Sequence, residues 1–405
     1  MKMSSVLNDN GQFLYRQRSL LEHVEVISCA VLCFAALNPY FLWTIGKEVQ
    51  FLMLCVFSMA VFIDRYHSLK KIAAGLFLAS MIFLYSMLYG MSAFGACYVA
   101  LFSLLISVVS KDVLLKAFSL FKYFFVCCMV PGLILWFLHN VLLDKSFLFM
   151  GYVDDEYVPN QLKVEAGFRY ATYPFSVVLD YMLEWPYYRI FGPFDEPGRV
   201  GTIAALLLAI ERFDLKHISN MVIFLVGLLS FSLAFYVLSL LFLVVYFSRR
   251  PVIILLLLMC SISAGVVLSE NAFFKAKIID RFSVSSEGKL SGDNRTGASL
   301  EENFIAWRNA PVIDYIIGFK NLPAEEGSSW KLIPIRSGLL GVISFVTFFI
   351  SIYVVCNGFR LPFNLAFLMV FSASIYQRPD VVSPALLLIF FAGSIVYSKR
   401  FNFHK

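Results

Sequence analysis

Long apolar runs recurring along the whole chain constrain this sequence more than any other feature. They fall at 26–43, 49–63, 72–90, 93–109, 119–142, 200–210, 217–231, 233–248, 252–268, 338–356, 362–376 and 383–397. A helix needs about 20 largely apolar residues to cross a bilayer, and backbone in lipid must satisfy its own polar groups, which a helix does within one segment. The runs therefore predict an all-α polytopic membrane protein with about twelve transmembrane helices. Composition agrees, with 60% of residues hydrophobic and 15% charged, where soluble domains carry about 25% charged residues. Met1 to Arg18 is polar, without an apolar core or a small-residue cleavage site, so no removable signal peptide is expected and the first run is a span.

Orientation follows from the short connections, because cytoplasmic ones are enriched in Lys and Arg. The segment 218–247 is uncharged, too long for one ordinary helix and short for two. With two helices there, Arg65, Lys70, Lys71, Lys111, Lys116, Arg212, Lys216, Arg249, Arg250, Arg360, Lys399 and Arg400 share a side with Arg16 and Arg18. That side is the cytoplasm. A single helix would strand Arg249 and Arg250 outside, so the two-helix reading is adopted. The chain then divides into helices at 1–142, a first large loop at 143–199, helices at 200–268, a second large loop at 269–337, and helices with a cytoplasmic tail at 338–405. Both loops face outward, toward the periplasm if the membrane is the inner membrane of a Gram-negative cell.

Several function classes lose support. The eight Cys lie in or beside apolar runs and read as small hydrophobes rather than as a disulfide or metal framework. The net charge of +6 is spread along the chain, which speaks for topology and against nucleic acid. No HExxH, CxxC, P-loop or GxSxG occurs, and none of the five His lies in a large loop. Asp154-Asp155-Glu156 reads as a solvated loop, since adjacent carboxylates rarely converge on one ion; no metal and no cofactor is expected. The spans are nearly free of ionisable groups, with Lys122 and His139 near the two ends of one and Glu211 at a boundary. Transporters place such groups near the midplane, so polar chemistry here is expected in the outer loops.

In the first loop, Phe175, Val178, Leu179, Met182 and Leu183 have the spacing of one face of a short interfacial helix that stops at Trp185-Pro186. Tyr170, Tyr173, Tyr181, Trp185, Tyr187, Tyr188, Phe191 and Phe194 read either as a sugar-stacking surface or as an aromatic belt. The loop ends in Arg189-Ile-Phe-Gly-Pro-Phe-Asp-Glu-Pro-Gly-Arg199. Pro197 suits a first helical turn, where helix N–H groups favour a carboxylate at Asp195 and Glu196. Glu196 is then placed to accept a proton from a sugar hydroxyl; a capped helix start beside an arginine pair explains the same residues. In the second loop, Ser299 and Glu302 form a capping-box pattern, and Leu300, Phe304 and Trp307 one face of a helix that ends before Pro311. Arg308 at its end serves either the helix dipole or, with other loop arginines, the oxygens of a pyrophosphate.

Two segments resemble the Wzy-type O-antigen polymerases. One is Gly192-Pro-Phe-Asp-Glu-Pro-Gly-Arg199 running into Val200-Gly-Thr-Ile-Ala-Ala-Leu; the other spans Arg295 to Phe345, with Ala306-Trp-Arg308, Ile317-Gly-Phe319, Gly327-Ser-Ser329 and Arg336-Ser-Gly-Leu-Leu-Gly341. Arg281, ten residues and then Gly292 matches the arginine-to-glycine spacing described for these polymerases. O-antigen ligases look similar but carry a required His followed by Asn near where this chain has Ser328-Ser329. The resemblance implies a GT-C-like architecture and a metal-independent transfer of the growing glycan from undecaprenyl pyrophosphate onto an incoming lipid-linked repeat. It implies Glu196 and Arg308 as catalytic, with Arg189, Arg199, Arg281, Arg295, Lys320, Ser328, Ser329 and Arg336 binding substrate and pyrophosphate. The partners implied are lipid-linked repeats and membrane lipid, with a chain-length regulator and a flippase alongside. A ligase, a glycolipid flippase and a non-catalytic scaffold are the competing readings.

Overall fold

A computed structural model describes residues 20–63, 68–142, 144–159, 161–248, 250–257, 297–319, 329–357, 365–378 and 382–399, with isolated positions between 258 and 296. Helices dominate. In chain order they are α1 (20–35), α2 (Gly46–Ile63), α3 (Leu69–Leu88), α4 (Ala93–Val108), α5 (Lys111–Leu142), α6 (Gln161–Glu165), α7 (Pro197–Ile210), α8 (Ile218–Leu229), α9 (Leu233–Tyr246) and α10 (251–257). The second long segment supplies α11 (Ala298–Arg308) and α12 (Val312–Ile317), followed by α13 (Leu332–Asn357), α14 (Leu365–Gln377) and α15 (Pro384–Lys399).

Four of these, α2, α3, α5 and most of α13, are long and apolar enough to cross a membrane. Their outer faces are as apolar as their inner ones. On α2, Phe51, Leu52, Met59 and Phe62 are exposed while Leu54 and Phe57 are buried, a surface that water would penalise and lipid would not. The chain is thus predominantly helical with the character of a membrane protein. Several shorter apolar helices complete the bundle.

The uncharged stretch 218–247 forms two helices, as the charge pattern required. They are α8 and α9, broken at Ser230–Ser232 where Phe231 has φ +45°. At 1.5 Å per residue each is only about 20 Å long, short of a hydrocarbon core of about 30 Å. The structure therefore bears out the two-helix division of this stretch, in helices shorter than a full span.

Helix α7 is the axle of the bundle. Every residue from Val200 to Ile210 is buried, and α8, α9, α14 and α15 all pack on it. A helix apolar on all sides belongs in the interior, and the small residues Gly201, Ala204, Ala205 and Ala209 let neighbours approach closely. At one end of the axle, Lys122 and Glu211 form a 2.5 Å ion pair beside the fully buried Asn220, tying α5, α7 and α8 together. At the opposite end lies the Gly192–Arg199 run. Among the described cysteines none is in a disulfide; Cys29, Cys33 and Cys356 are buried, whereas Cys97 and Cys127 are exposed.

Three expectations for the loops are corrected. Residues 170–184 are not an interfacial helix. They form an antiparallel hairpin, β2 (Tyr170–Tyr173) and β3 (Ser176–Leu179), with β1 (Gly151–Tyr152) on its edge and a 3-10 turn at Asp180–Glu184. Pro174 fixes its own φ, and Phe175 at φ +53° completes a two-residue turn. Val177 and Val178 are both buried, so the apolar spacing read as helical belongs to a strand covered on both faces. The small sheet is a local feature of a chain that is otherwise mostly helical, compatible with an all-α membrane protein.

The aromatic residues of this segment are neither platform nor belt for the most part. Tyr170, Tyr173, Tyr188, Phe191 and Phe194 are fully buried, with Phe194 stacked on Phe125 at 5.8 Å and Trp43 edge-on to Tyr170 at 5.5 Å. They are a core, which a count of aromatics does not distinguish from a surface. Finally, α11 begins after Gly297 rather than at a Ser299 cap, which puts Ser299 inside the helix. The predicted face does form, with Leu300 and Trp307 buried and Phe304 packed beside them.

Candidate functional site

The start of α7 brings together charges from three distant parts of the chain. Glu196 occupies the N-cap position and Pro197 the first helical one. The Glu196 side chain makes no capping bond. Its Oε2 lies instead 2.7 Å from Nη2 of Arg378, which follows α14. Both side chains are only partly buried, 27% exposed for Glu196 and 17% for Arg378. One residue back, Asp195 is buried and faces Arg199 Nη1 at 3.4 Å across one turn. Arg199 Nη1 also donates to the Leu37 carbonyl at 3.2 Å, anchoring the group to the end of the first helix region.

Lys163 closes the cluster from α6. Its Nζ donates to the Tyr170 hydroxyl at 2.8 Å and to the Asp195 carbonyl at 3.1 Å, and the Tyr170 hydroxyl donates to that same carbonyl at 2.9 Å. Burial pushes the Lys163 ammonium below the usual lysine range, with the Asp195 and Glu196 carboxylates opposing the shift. Burial likewise raises Tyr170, and the two carboxylates add to it. Three cations and two carboxylates leave the group one charge positive, in surroundings where charge interactions are stronger than in water.

The backbone explains why the run begins with Gly192-Pro193. Gly192 has φ +55°, favoured by glycine, and lies against Gly132, which follows Pro131 inside α5. Its carbonyl accepts from Val177 N of β3 at 2.8 Å, and the Pro193 carbonyl accepts from Tyr40 N at 2.7 Å. The segment is thereby clamped between the hairpin and the connection from α1 to α2 before it reaches Asp195.

The second long segment meets the same end of the bundle. Trp330 N donates to the Tyr376 carbonyl at 3.3 Å, two residues before Arg378, and Ser329 is buried beside it. Lys331 pairs with Glu301 and sits 5.3 Å over the Phe304 ring. Arg336 lies 5.3 Å over the Tyr89 ring. It is held there by a crossing of two backbones: Phe319 N donates to the Ile335 carbonyl at 2.8 Å, while Gly318 (φ +79°) and Gly338 (φ +62°) face each other so closely that a Cβ at 338 would stand 2.5 Å from Gly318 N. The Ile317-Gly-Phe319 and Arg336-Ser-Gly338 segments are thus the two halves of one structural joint.

Not every predicted site residue joins the cluster. Arg189 donates from Nε to the Ser230 carbonyl at 2.9 Å, at the turn between α8 and α9. Arg308 is exposed in the last turn of α11 and makes no ion pair with another described residue; its place suits the helix dipole. Arg281, Arg295, Lys320 and Ser328 lie outside the described residues. Asp154, Asp155 and Glu156 are exposed, as expected of a solvated loop. Arg378 and Lys163 were missed. Arg378 had a readable signal, since the topology expected from the sequence puts it in a short outward connection, where the charge rule favours few basic residues.

Compared with protein-family models, curated proteins and solved structures, the chain matches none.

Proposed function

We propose that the protein is an inner-membrane polymerase of lipid-linked oligosaccharides, with about twelve spans in a GT-C-like arrangement and the Glu196–Arg378 cluster facing the periplasm. The observation that carries this reading is the group Lys163, Asp195, Glu196, Arg199 and Arg378 at one end of an apolar bundle, buried at Asp195 and partly exposed at Glu196 and Arg378, with the second long segment seated beside it. A membrane-rim site combining a carboxylate with fixed guanidinium groups suits transfer between two substrates anchored in the same leaflet. The acceptor hydroxyl oxygen attacks the anomeric carbon of the growing glycan and passes its proton to Glu196. The bond from that carbon to the pyrophosphate oxygen breaks, and undecaprenyl pyrophosphate leaves. Arg378 and Arg199 stabilise the charge gathering on the leaving group. In a strain lacking the gene, a glycan gel should show single capped repeats in place of long chains. Loss of all O-antigen, including single repeats, would instead favour a ligase or a flippase.

Two further results are expected. Cysteines placed at Glu156 and Asn309, both exposed, should react with an impermeant thiol reagent in spheroplasts, and one at the exposed Asp214 should not. Protection of the Asn309 position alone would reverse the parity assigned through α8 and α9. Because guanidinium groups carry the leaving-group charge in this mechanism, polymer formation by purified protein should also persist in excess EDTA; activity lost to EDTA and regained with Mg²⁺ would contradict it.

A further inference from the structure

We propose that the turn at 147–150 is a lipid wedge, seated in the leaflet on the side of the charged cluster and covered there by phospholipid acyl chains. Phe147, Leu148, Phe149 and Met150 follow one another and all four are exposed, from 39% at Phe147 to 68% at Met150. Water penalises such a patch and lipid does not. The height of the turn decides between them. Helix α5 runs toward it with Ile134, Phe137 and Val141 exposed along one face. The chain then folds back, so that His139 Nε2 donates to the Phe147 carbonyl at 2.9 Å. At 1.5 Å per residue, His139 stands about 26 Å along the helix from Lys122 and about 35 Å from Lys116. Lys122 is paired inside the bundle, whereas Lys116 pairs with Glu22 at an exposed site. The two distances bracket a hydrocarbon core of about 30 Å, which puts the turn at the far edge of that core.

The backbone fixes the turn. Asp144 Oδ1 accepts from Ser146 N at 2.9 Å, Phe149 N donates to the Ser146 carbonyl at 3.0 Å, and Met150 N donates to the Thr172 carbonyl at 2.9 Å. Leu148 has φ +61°, a conformation where glycine or asparagine is the ordinary choice and a bulky residue an outlier. A strained position that also exposes a leucine is accounted for when the side chain has lipid to enter. Beyond the turn the surface changes in the order of a bilayer edge. The Phe149 ring lies 5.2 Å from that of Tyr152, and the exposed Arg169 guanidinium lies 4.1 Å over the Tyr152 ring. Apolar ring, amphipathic tyrosine and cation match acyl chain, interface and phosphate in turn. Strand β2 carries the contact inward, since Thr172 holds the turn while the Tyr170 hydroxyl donates to the Asp195 carbonyl. The wedge therefore sets the height of the charged cluster at the membrane, whatever reaction the cluster performs.

The test places p-benzoylphenylalanine, which on illumination bonds to neighbouring C–H groups, at one position at a time in the full-length chain. Each protein is reconstituted in vesicles of phosphatidylethanolamine and phosphatidylglycerol, and mass spectrometry reads which molecule is marked. At Leu148 and Met150, acyl-chain adducts should match those at the exposed Ile134 of α5 and exceed those at the exposed Glu156 about tenfold. At Tyr152 the marks should move toward the glycerol. All these positions are at the surface, so wild-type melting of each labelled protein shows that the fold is kept. Adducts at Leu148 and Met150 no more frequent than at Glu156 would overturn the wedge. So would marks on another segment of the chain, which would mean that protein covers the turn, or a crosslinked dimer on a denaturing gel, which would mean that a second copy does. Lipid marking is read without any glycan, so the wedge and the polymerase reading fail independently.

Discussion

Glu196→Gln should reduce polymer formation by about a hundredfold or more, the range typical of removing a positioned general base. Glutamine keeps the shape of the side chain and its place before Pro197 but cannot take a proton. Because Glu196 makes no capping bond, the helix start loses little by the change. What is lost structurally is the ion pair with Arg378, whose side chain is 17% exposed, so the protein should still reach the membrane. The check is glycan chain length and rate in membranes matched for protein level and melting behaviour. Near-normal chains from Glu196→Gln would remove the base assignment and leave Glu196 as a bracing group for Arg378.

The other large effect concerns folding. Gly338→Ala should yield little or no stable protein. Gly338 has φ +62° and ψ −172°, a region open essentially to glycine alone, and a Cβ there would stand 2.5 Å from Gly318 N and closer still to the Ile316 carbonyl. Backbone strain of this kind costs about 1–3 kcal/mol, and the clash adds to it because both partners are backbone. Separation of the two strands of chain would also release Arg336 from its position over Tyr89. Leu339→Ala, at an exposed neighbouring position, is the control and should be nearly silent. Expression level and thermal melting in detergent decide the matter; equal melting of the two variants would show that the Gly318–Gly338 crossing is not a fixed joint.

How much of this was legible depends on what each signal encodes. Hydropathy marks where lipid is the solvent, so the helical bundle could be read directly, and the charge rule forced the break between α8 and α9 that the structure places at Ser230–Ser232. Pro197 announced the start of α7 and Leu300, Phe304 and Trp307 the buried face of α11, because both are local patterns. The hairpin at Tyr170–Leu179 was misread because a short apolar run covered on both faces carries no period that separates strand from helix. The buried tyrosines were misread for a related reason: aromatic density says nothing about which side of the chain faces water.

The site itself was half legible. Glu196 and Arg199 sit in one short run, and the N-terminus of a helix gave the carboxylate a physical reason to be there. Its partner could not be found that way. Arg378 lies almost half the chain away, brought to Glu196 only by the packing of α14 on α7, and no local pattern encodes a contact between helices. Lys163 is hidden likewise, since nothing in the sequence around it tells that its ammonium lies over the Tyr170 hydroxyl and the Asp195 carbonyl.

Reconstitution of the purified chain in liposomes with undecaprenyl-pyrophosphate-linked repeats tests the central claim most directly. The account predicts a ladder of glycans that remain on the lipid carrier, one undecaprenyl pyrophosphate released for each bond formed, and no ladder from Glu196→Gln. Repeats that cross the bilayer without lengthening, or a ladder undiminished in Glu196→Gln, would contradict it.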